Sequence, residues 1–152
     1  MSTGILGSPK KRGNLTAILS AVFNTAPRVG AAVSPDTNNH GTDQLSVKAF
    51  DSATFSGFAV GNDVNKKGKT IGVIEAGNDI PVRGVTGKTY TPGAAIGVNA
   101  AGEVLPAADG DTVFILNGSV CRAAVVAIDE TGATVDHCLS INLMGGGSVK
   151  AG

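Results

Sequence analysis

The chain contains few of the residues that most often build active sites. Tryptophan is absent, aromatic residues make up 4% of the 152 positions, and there are two histidines and two cysteines. Two cysteines do not make a disulfide framework, and we expect both to be reduced. No apolar run approaches the roughly 20 residues that a membrane-spanning helix needs, so no membrane partner is expected.

Charge is also scarce and of no dominant sign. Twelve basic and twelve acidic side chains cancel, and charged residues reach only 16%, below the usual quarter or so. A chain without net charge has no long-range attraction to nucleic acid or to anionic membranes. A free monomer with so few charges and 22 glycines would tend to associate. The composition therefore favours a protein whose surface is covered by protein partners.

Glycines recur at regular intervals through the middle of the chain. Gly61, Gly77, Gly93 and Gly110 each begin a Gly-x-x-(Val/Ile) quartet between β-branched runs. Glycine adopts positive φ without steric cost, and Asn or Asp can bond its own backbone, so each quartet predicts a turn. Short strands with this punctuation predict one all-β body, either a small β-barrel, which could be tulip-like, or a sandwich.

The apolar and β-branched runs predict eight strands. They lie near residues 45–50, 55–60, 70–75, 80–86, 94–99, 112–117, 119–128 and 134–143. Asn117-Gly118 is a favoured type I′ pair and predicts a hairpin between the sixth and seventh strands. Pro81 cannot donate a ladder hydrogen bond, so its strand is predicted to be an edge strand or to carry a bulge.

The first 44 residues are predicted to form a separate N-terminal region in front of a β-rich domain at 45–152. Glycines and Pro9 favour an extended arm over residues 1–13. Apolar residues of the next stretch fall on one face of a helix over 15–23, with Asn14 as its N-cap. So short a helix is unstable alone, so its apolar stripe must dock on the body or on a neighbour. The residues predicted to contact the capsid or a neighbouring subunit are Lys10, Lys11, Arg12, Leu15, Ile18, Leu19, Val22 and Phe23.

Three motifs that could indicate a ligand site fail on spacing. Gly68-Lys69-Thr70 and Gly87-Lys88-Thr89 lack the earlier glycine of a phosphate-binding loop. The segment that begins at Asp36 resembles half of a calcium loop, but its twelfth position is Val47 instead of Glu. His137 and Cys138 are neighbours, which a strand would point to opposite faces, so they cannot chelate one ion together. We therefore expect no metal, no cofactor and no catalytic residues.

Three stretches of the chain carry a resemblance to a known family. They are Gly57-Phe-Ala-Val-Gly-Asn-Asp-Val64, Thr70-Ile-Gly-Val-Ile-Glu-Ala-Gly-Asn-Asp-Ile-Pro-Val82 and Tyr90-Thr-Pro-Gly-Ala-Ala-Ile-Gly-Val-Asn-Ala-Ala-Gly-Glu-Val-Leu-Pro-Ala107. Their order of a Gly-x-x-Val turn, an Ile-Gly-Val strand and an Ala-Gly-Glu-Val segment resembles that of tailed-bacteriophage capsid decoration, or cement, proteins. The resemblance extends over residues 57–143, and residues 1–44 take no part in it.

The resemblance implies a structural virion protein without enzyme activity. Proteins of that family bind the outer surface of the capsid and stabilise the head by bridging neighbouring major capsid subunits, commonly as trimers with extended arms. The implied partners are the major capsid protein and further copies of this chain, with assembly in the host cytoplasm. Two other interpretations stay open. One is a carbohydrate- or receptor-binding module of a phage tail or surface fibre, and the other is a small enzyme or cofactor carrier with a β-barrel pocket that holds His137 and an acidic neighbour.

Overall fold

A computed structural model of the chain describes residues 18–25, 27–37, 45–60, 70–128 and 134–151. In this part the protein is built of eleven strands and contains no helix. The strands are β1 (Ile18–Val22), β2 (Ala32–Pro35), β3 (Leu45–Ala49), β4 (Gly57–Val60), β5 (Thr70–Ile74), β6 (Gly77–Arg83), β7 (Ala95–Val98), β8 (Val104–Pro106), β9 (Phe114–Ile128), β10 (Thr134–Leu143) and β11 (Ser148–Val149).

The first five strands close into a barrel in the order β1-β3-β2-β4-β5. The closing strand is β1, which pairs in parallel with β3 on one side and antiparallel with β5 on the other. Small and β-branched side chains fill the interior because five strands leave little room between their walls. The core residues of the barrel are Ala21, Phe23, Val33, Val47, Ala59, Ile71 and Val73.

The other strands form a curved sheet in the order β6-β10-β9-β7-β8, with β11 paired to one end of β9. The two outer strands of this order approach each other, since Gly84 at the end of β6 forms a parallel bridge with Val104 of β8. Tyr90 fixes this seam: its hydroxyl accepts the Val85 N–H at 2.7 Å and lies 2.9 Å from the Val104 carbonyl oxygen.

The barrel packs against the sheet through a second and larger core. All four residues of β4 are buried, because Ala59 faces the barrel interior while Phe58 and Val60 face the sheet. Edge-on ring contacts join the two layers, with the Phe50 and Phe114 centroids 5.7 Å apart. A strand buried on both faces reads as a continuous apolar run, which explains the sequence Gly-Phe-Ala-Val at this position.

The prediction of an all-β body is confirmed, and the body contains a closed barrel. The predicted helix is wrong where it is described, because Ile18–Val22 is a strand. The predicted hairpin at Asn117-Gly118 is also wrong, because both residues lie inside the single strand β9. The edge position predicted for the strand of Pro81 is confirmed, since β6 ends the sheet order.

Two further sequence predictions meet the structure at particular residues. Gly93 and Gly110 lie in turns as predicted, whereas Gly77 is the first residue of β6 and directly follows the turn Glu75-Ala76. The first quartet, from Gly61, lies outside the described residues. The strands on either side of residue 44, β2 and β3, are antiparallel neighbours in the same barrel.

Candidate binding surface

One end of the body carries the start of the described chain and several exposed side chains. Ile18 and Leu19 of β1 pair with Ile74 and Val73, the last residues of β5. The exposed turn Glu75-Ala76 follows directly. Leu19 is 37% exposed and Met144 is 67% exposed, which is unusual for large apolar side chains.

Met144 belongs to this end because its neighbour touches the same turn. A Cβ placed on Gly145 would lie 3.4 Å from the Glu75 carbonyl oxygen and 3.7 Å from the Ala76 Cβ. We call the set Leu19, Glu75, Ala76 and Met144 the entry surface, since residues 1–17 join the barrel beside it. Leu19 lies opposite Val73, two residues before this turn, and Met144 precedes Gly145, which contacts it. Exposed large apolar side chains at one end of a fold are typical of an interaction site.

The predicted contact residues are distributed between this surface and the core. Lys10, Lys11, Arg12 and Leu15 lie outside the described residues, and Ile18 is described by its backbone alone. Leu19 is exposed, Val22 is half-buried, and Phe23 is buried in the barrel core. The structure therefore gives Phe23 a packing role within its own barrel.

A second accessible feature, the β11 cleft, lies at the C-terminal end of the described chain. It is an open cleft of about 470 Å³ lined by Ser52, Gly110, Thr112, Val113, Val149, Lys150 and Ala151. Val149, which is 57% exposed, forms part of its wall. The cleft was missed by sequence reasoning, because β11 is only two residues long and follows a run of glycines.

Ion pairs hold the loop that borders the β11 cleft. Lys88 Nζ lies 2.8 Å from an Asp109 carboxylate oxygen and 3.6 Å from one of Asp111. The hydrogen bond to Asp109 raises the pKa of Lys88, and the same bond lowers the pKa of Asp109. Lys150 Nζ donates to the Asp109 carbonyl oxygen at 2.8 Å. These contacts tie the loop to the C-terminal segment.

A buried polar cluster lies on β6, β9 and β10. The Asp79 side chain is 1% exposed and its carboxylate accepts a 2.7 Å hydrogen bond from Ser140 Oγ. Arg122 Nε lies 3.7 Å from the same carboxylate oxygen, and Asn142 Oδ1 accepts the Asp79 N–H at 3.2 Å. Nucleophilic chemistry needs a substrate within reach of the hydroxyl, and both Asp79 and Ser140 are buried. The cluster is arranged to stabilise the sheet.

Two further groups with possible chemistry, Cys121 and Tyr90, are buried or bonded. Cys121 is a free thiol at 1% exposure, and burial raises its pKa, so it stays protonated near neutral pH. Burial likewise raises the pKa of Tyr90, whose hydroxyl holds the seam of the sheet. The side chains of His137 and Cys138 lie outside the described part.

Two wider searches of the described residues return no site. Among residues 18–25, 27–37, 45–60, 70–128 and 134–151, no group of three His, Cys, Asp or Glu side chains is placed to hold a metal ion. In the same ranges no helix has the length and apolar character needed to cross a membrane.

Comparison with known proteins adds no family to these observations. No protein-family model matches the chain, and no curated protein matches it. The candidate sites are therefore the entry surface and the β11 cleft, both of which are suited to contact with another macromolecule.

Proposed function

We propose that this chain is a structural protein of a phage virion that binds the outside of the capsid. In this role it bridges neighbouring major capsid subunits and associates with further copies of itself as a trimer. It catalyses no reaction. The observation that carries the proposal is the entry surface, where Leu19, Ala76 and Met144 are exposed at the end of the body that the N-terminal segment joins.

The stretches that resemble decoration proteins support the proposal by their location. They cover β4, β5, β6, β7 and β8, which supply strands to both the barrel and the sheet. The resemblance therefore concerns the framework of the body and not one isolated loop. A small folded framework that carries an N-terminal segment is suited to contacting several neighbours at a junction between capsid subunits.

The energetics of such contact fit the composition of the chain. With no net charge, binding cannot depend on a long-range field. Burial of apolar area contributes about 25 cal/mol per Å², and backbone pairing at sheet edges adds directional hydrogen bonds. The cations at positions 10–12 would then act at the rim of the interface, where charges govern association rate more than affinity.

Capsid occupancy tests the proposal. Deletion of residues 2–16 is the appropriate change, since β1 begins at Ile18 and must be kept. We expect purified full-length protein to bind capsids of the encoding phage at a fixed stoichiometry, and the deletion variant to bind far less. The variant Lys10→Ala, Lys11→Ala, Arg12→Ala isolates the rim charges and should weaken binding more at low than at high salt.

Two outcomes would contradict the proposal. If full-length protein fails to bind capsids, the proposed capsid binding is wrong. Equal occupancy by full-length and deletion variants, with equal thermal unfolding midpoints, would remove the N-terminal segment from it. A glycan array with the same preparations addresses the carbohydrate-binding alternative, for which the chain offers only half-buried or buried aromatic rings.

A further inference from the structure

The β11 strand leaves one edge of the sheet open. Ser148 pairs with Ile115 and Val149 with Phe114, and the ladder continues where Lys150 N–H donates to the Val113 carbonyl oxygen at 2.9 Å. Hydrogen-bonded and non-hydrogen-bonded pairs alternate along an antiparallel ladder. Since the Lys150 pair is bonded, the backbone N–H and C=O of Val149 point away from β9.

These two groups have no partner among the described residues. Ser148 and Val149 are both exposed, and β9 is the one described strand that pairs with β11. An exposed edge of this kind is a ready template for a further strand. β11 carries no proline, bulge or inward-pointing charge of the kind that blocks such edges, although it is only two residues long and Lys150 follows it.

The β11 cleft adjoins this open edge and can take an apolar side chain. Val113, Val149 and Ala151 supply an apolar lining, and the volume of about 470 Å³ is sufficient for one or two large aliphatic side chains. Asp111, whose side chain is 77% exposed, stands between the lining residues Gly110 and Thr112. Lys88 contacts Asp111 only at 3.6 Å, and Lys150 lines the cleft, so a complementary strand would place an aliphatic side chain in the cleft and a cation on the exposed side of Asp111.

The N-terminal segment of the chain has this combination. Ile5-Leu6 is its one aliphatic pair, set between Gly4 and Gly7, and Lys10-Lys11-Arg12 follows within six residues. Extended chain rises about 3.3 Å per residue, so the seventeen residues before Ile18 reach up to about 55 Å. A body of this length has a radius of gyration of about 15 Å, so the segment can reach across to a neighbouring copy.

We propose that the open edge of β11 and the β11 cleft bind the N-terminal segment, residues 3–12, of a second copy of this chain. The segment adds a strand beside Val149, places Ile5 or Leu6 in the cleft, and brings its cations toward Asp111. This inference rests on the part of the proposed function in which the N-terminal segment makes intersubunit contacts. It does not depend on capsid binding, and its test uses no capsid.

Proline at position 149 tests the edge with little disturbance of the body. Val149→Pro removes an N–H that faces away from β9, and proline is tolerated where a strand N–H faces solvent. Val149→Thr keeps that N–H and serves as the matched control. In sedimentation equilibrium of the full chain we expect self-association for the wild type and for Val149→Thr, and a dissociation constant raised about tenfold or more for Val149→Pro.

A mixing experiment identifies the occupant. The double variant Ile5→Asp, Leu6→Asp impairs the segment and leaves the edge intact, and its changes lie far from the folded body in sequence. Either variant alone should be largely monomeric. When labelled differently and mixed, one supplies an intact segment and the other an intact edge, so energy transfer between the two labels should appear.

Three results would overturn the inference. These are a wild-type chain that stays monomeric at every concentration, a Val149→Pro variant that associates like Val149→Thr, and mixed variants without energy transfer. A monomeric wild type in which the segment is protected from proteolysis would place the segment on its own body instead. Failure here with intact capsid binding leaves the proposed function standing, and the reverse result leaves this inference standing.

Discussion

At the scale of single residues, Asp79 shows how a polar group fixes the register of a strand. Ile141 pairs with Ile80 and Leu143 with Gly77, so three steps along β6 face two along β10. The extra residue forms a bulge, and Asp79 takes a positive φ of 59° within it. Its carboxylate and N–H are both satisfied by side chains of β10, so the bulge carries no orphaned group at this position.

Removing the Asp79 carboxylate should therefore destabilise the protein. We expect Asp79→Ala to lower the free energy of unfolding by about 2 kcal/mol, because Ser140 loses a charged acceptor and Arg122 an ion-pair partner. Asp79→Asn should cost less, since asparagine tolerates positive φ and keeps an acceptor oxygen. Urea denaturation measures both. A change for Asp79→Ala no larger than that for the exposed Asp111→Ala would contradict this role.

Asp51 should make stability depend on pH in the acid range. Partial burial raises its pKa, but hydrogen bonds from the Thr54 and Ala53 N–H groups and from Thr54 Oγ1 together outweigh burial and lower the pKa below the usual 3.8. A lowered pKa stabilises the folded state above the unfolded-state value, and that contribution is lost as the pH falls below about 4.

Denaturation curves between about pH 6 and pH 2 test this sign. We expect the wild type to lose stability on acidification below about pH 4. The Asp51→Asn variant should lose less, because the asparagine side chain does not take up a proton in this range. Asp111→Asn controls for the removal of a surface charge. If Asp51→Asn and the wild type lose equal amounts of stability on acidification, protonation of Asp51 does not cause the loss.

At the scale of elements, Asn117-Gly118 forms a bulge instead of a hairpin. Along β7 the partners advance from Ala95 to Gly97, while along β9 they move from Val120 to Ile115. The excess residues of β9 bulge out at this point, and Gly118 has a φ of 73°. On the C-terminal side of this bulge β9 pairs with β10, and on the N-terminal side it pairs with β11. A type I′ pair needs positive φ at both residues, and the structure has it at Gly118 but not at Asn117. A local pair also cannot reveal whether the chain turns back or continues.

Two glycines on these strands should respond differently to alanine. A Cβ on Gly118 would meet only the Met144 side chain, with Cγ at 3.5 Å and Cβ at 3.7 Å, so the cost of Gly118→Ala is the positive φ, about 1 kcal/mol. A Cβ on Gly97 would overlap the Phe114 carbonyl oxygen and approach Thr112 Cγ2 to 2.5 Å, which should cost about 2–3 kcal/mol. Chemical denaturation gives the order, and a larger loss for Gly118→Ala would refute it.

The sequence predicted the strands better than their partners. Most predicted strands after residue 44 exist within a few residues of their expected bounds, because alternation and β-branching are local signals. The segment at 15–23 misled because its apolar residues fit helical spacing, yet Ala21 and Phe23 also alternate as a strand requires. Pairing with β3 and β5 decides between the two, and that pairing is not visible in the segment itself.

The candidate sites were less predictable for the same physical reason. The entry surface brings together Leu19, Ala76 and Met144, which are separated by most of the chain. The β11 cleft depends on a two-residue strand whose only signal is its place beside β9. Neither has a motif of fixed spacing, since an interaction surface requires shape and exposure more than particular residue types.

At the scale of the whole molecule, the barrel and the sheet depend on each other through a shared core. Phe58, Val60 and Ile74 of the barrel pack among Ile80, Ile96 and Ile141 of the sheet. Backbone hydrogen bonds also cross the junction, since Arg83 N–H donates to the Gly30 carbonyl oxygen and Ala32 N–H to that of Gly102. Opening the barrel should therefore loosen the sheet as well.

Truncation from the N-terminus should thus have a sharp limit at Ile18. Deletion of residues 2–16 keeps β1 and should leave the thermal midpoint within a few degrees of the full chain. Deletion of residues 2–23 removes the strand that closes the barrel together with Phe23, whose loss alone typically costs about 3–5 kcal/mol. Because a domain has only about 5–15 kcal/mol of net stability, the longer deletion should unfold.

Circular dichroism melting and amide protection distinguish the two deletions, and point variants separate closure from packing. Phe23→Ala should lower the midpoint strongly, whereas Val22→Ala, at a half-buried position of the same strand, should lower it less. A cooperative transition that survives deletion of residues 2–23 would mean that the barrel does not need β1 for stability. In that case β1 would be an accessory strand, free to exchange between copies, and the N-terminal segment would extend to residue 23 in any assembly.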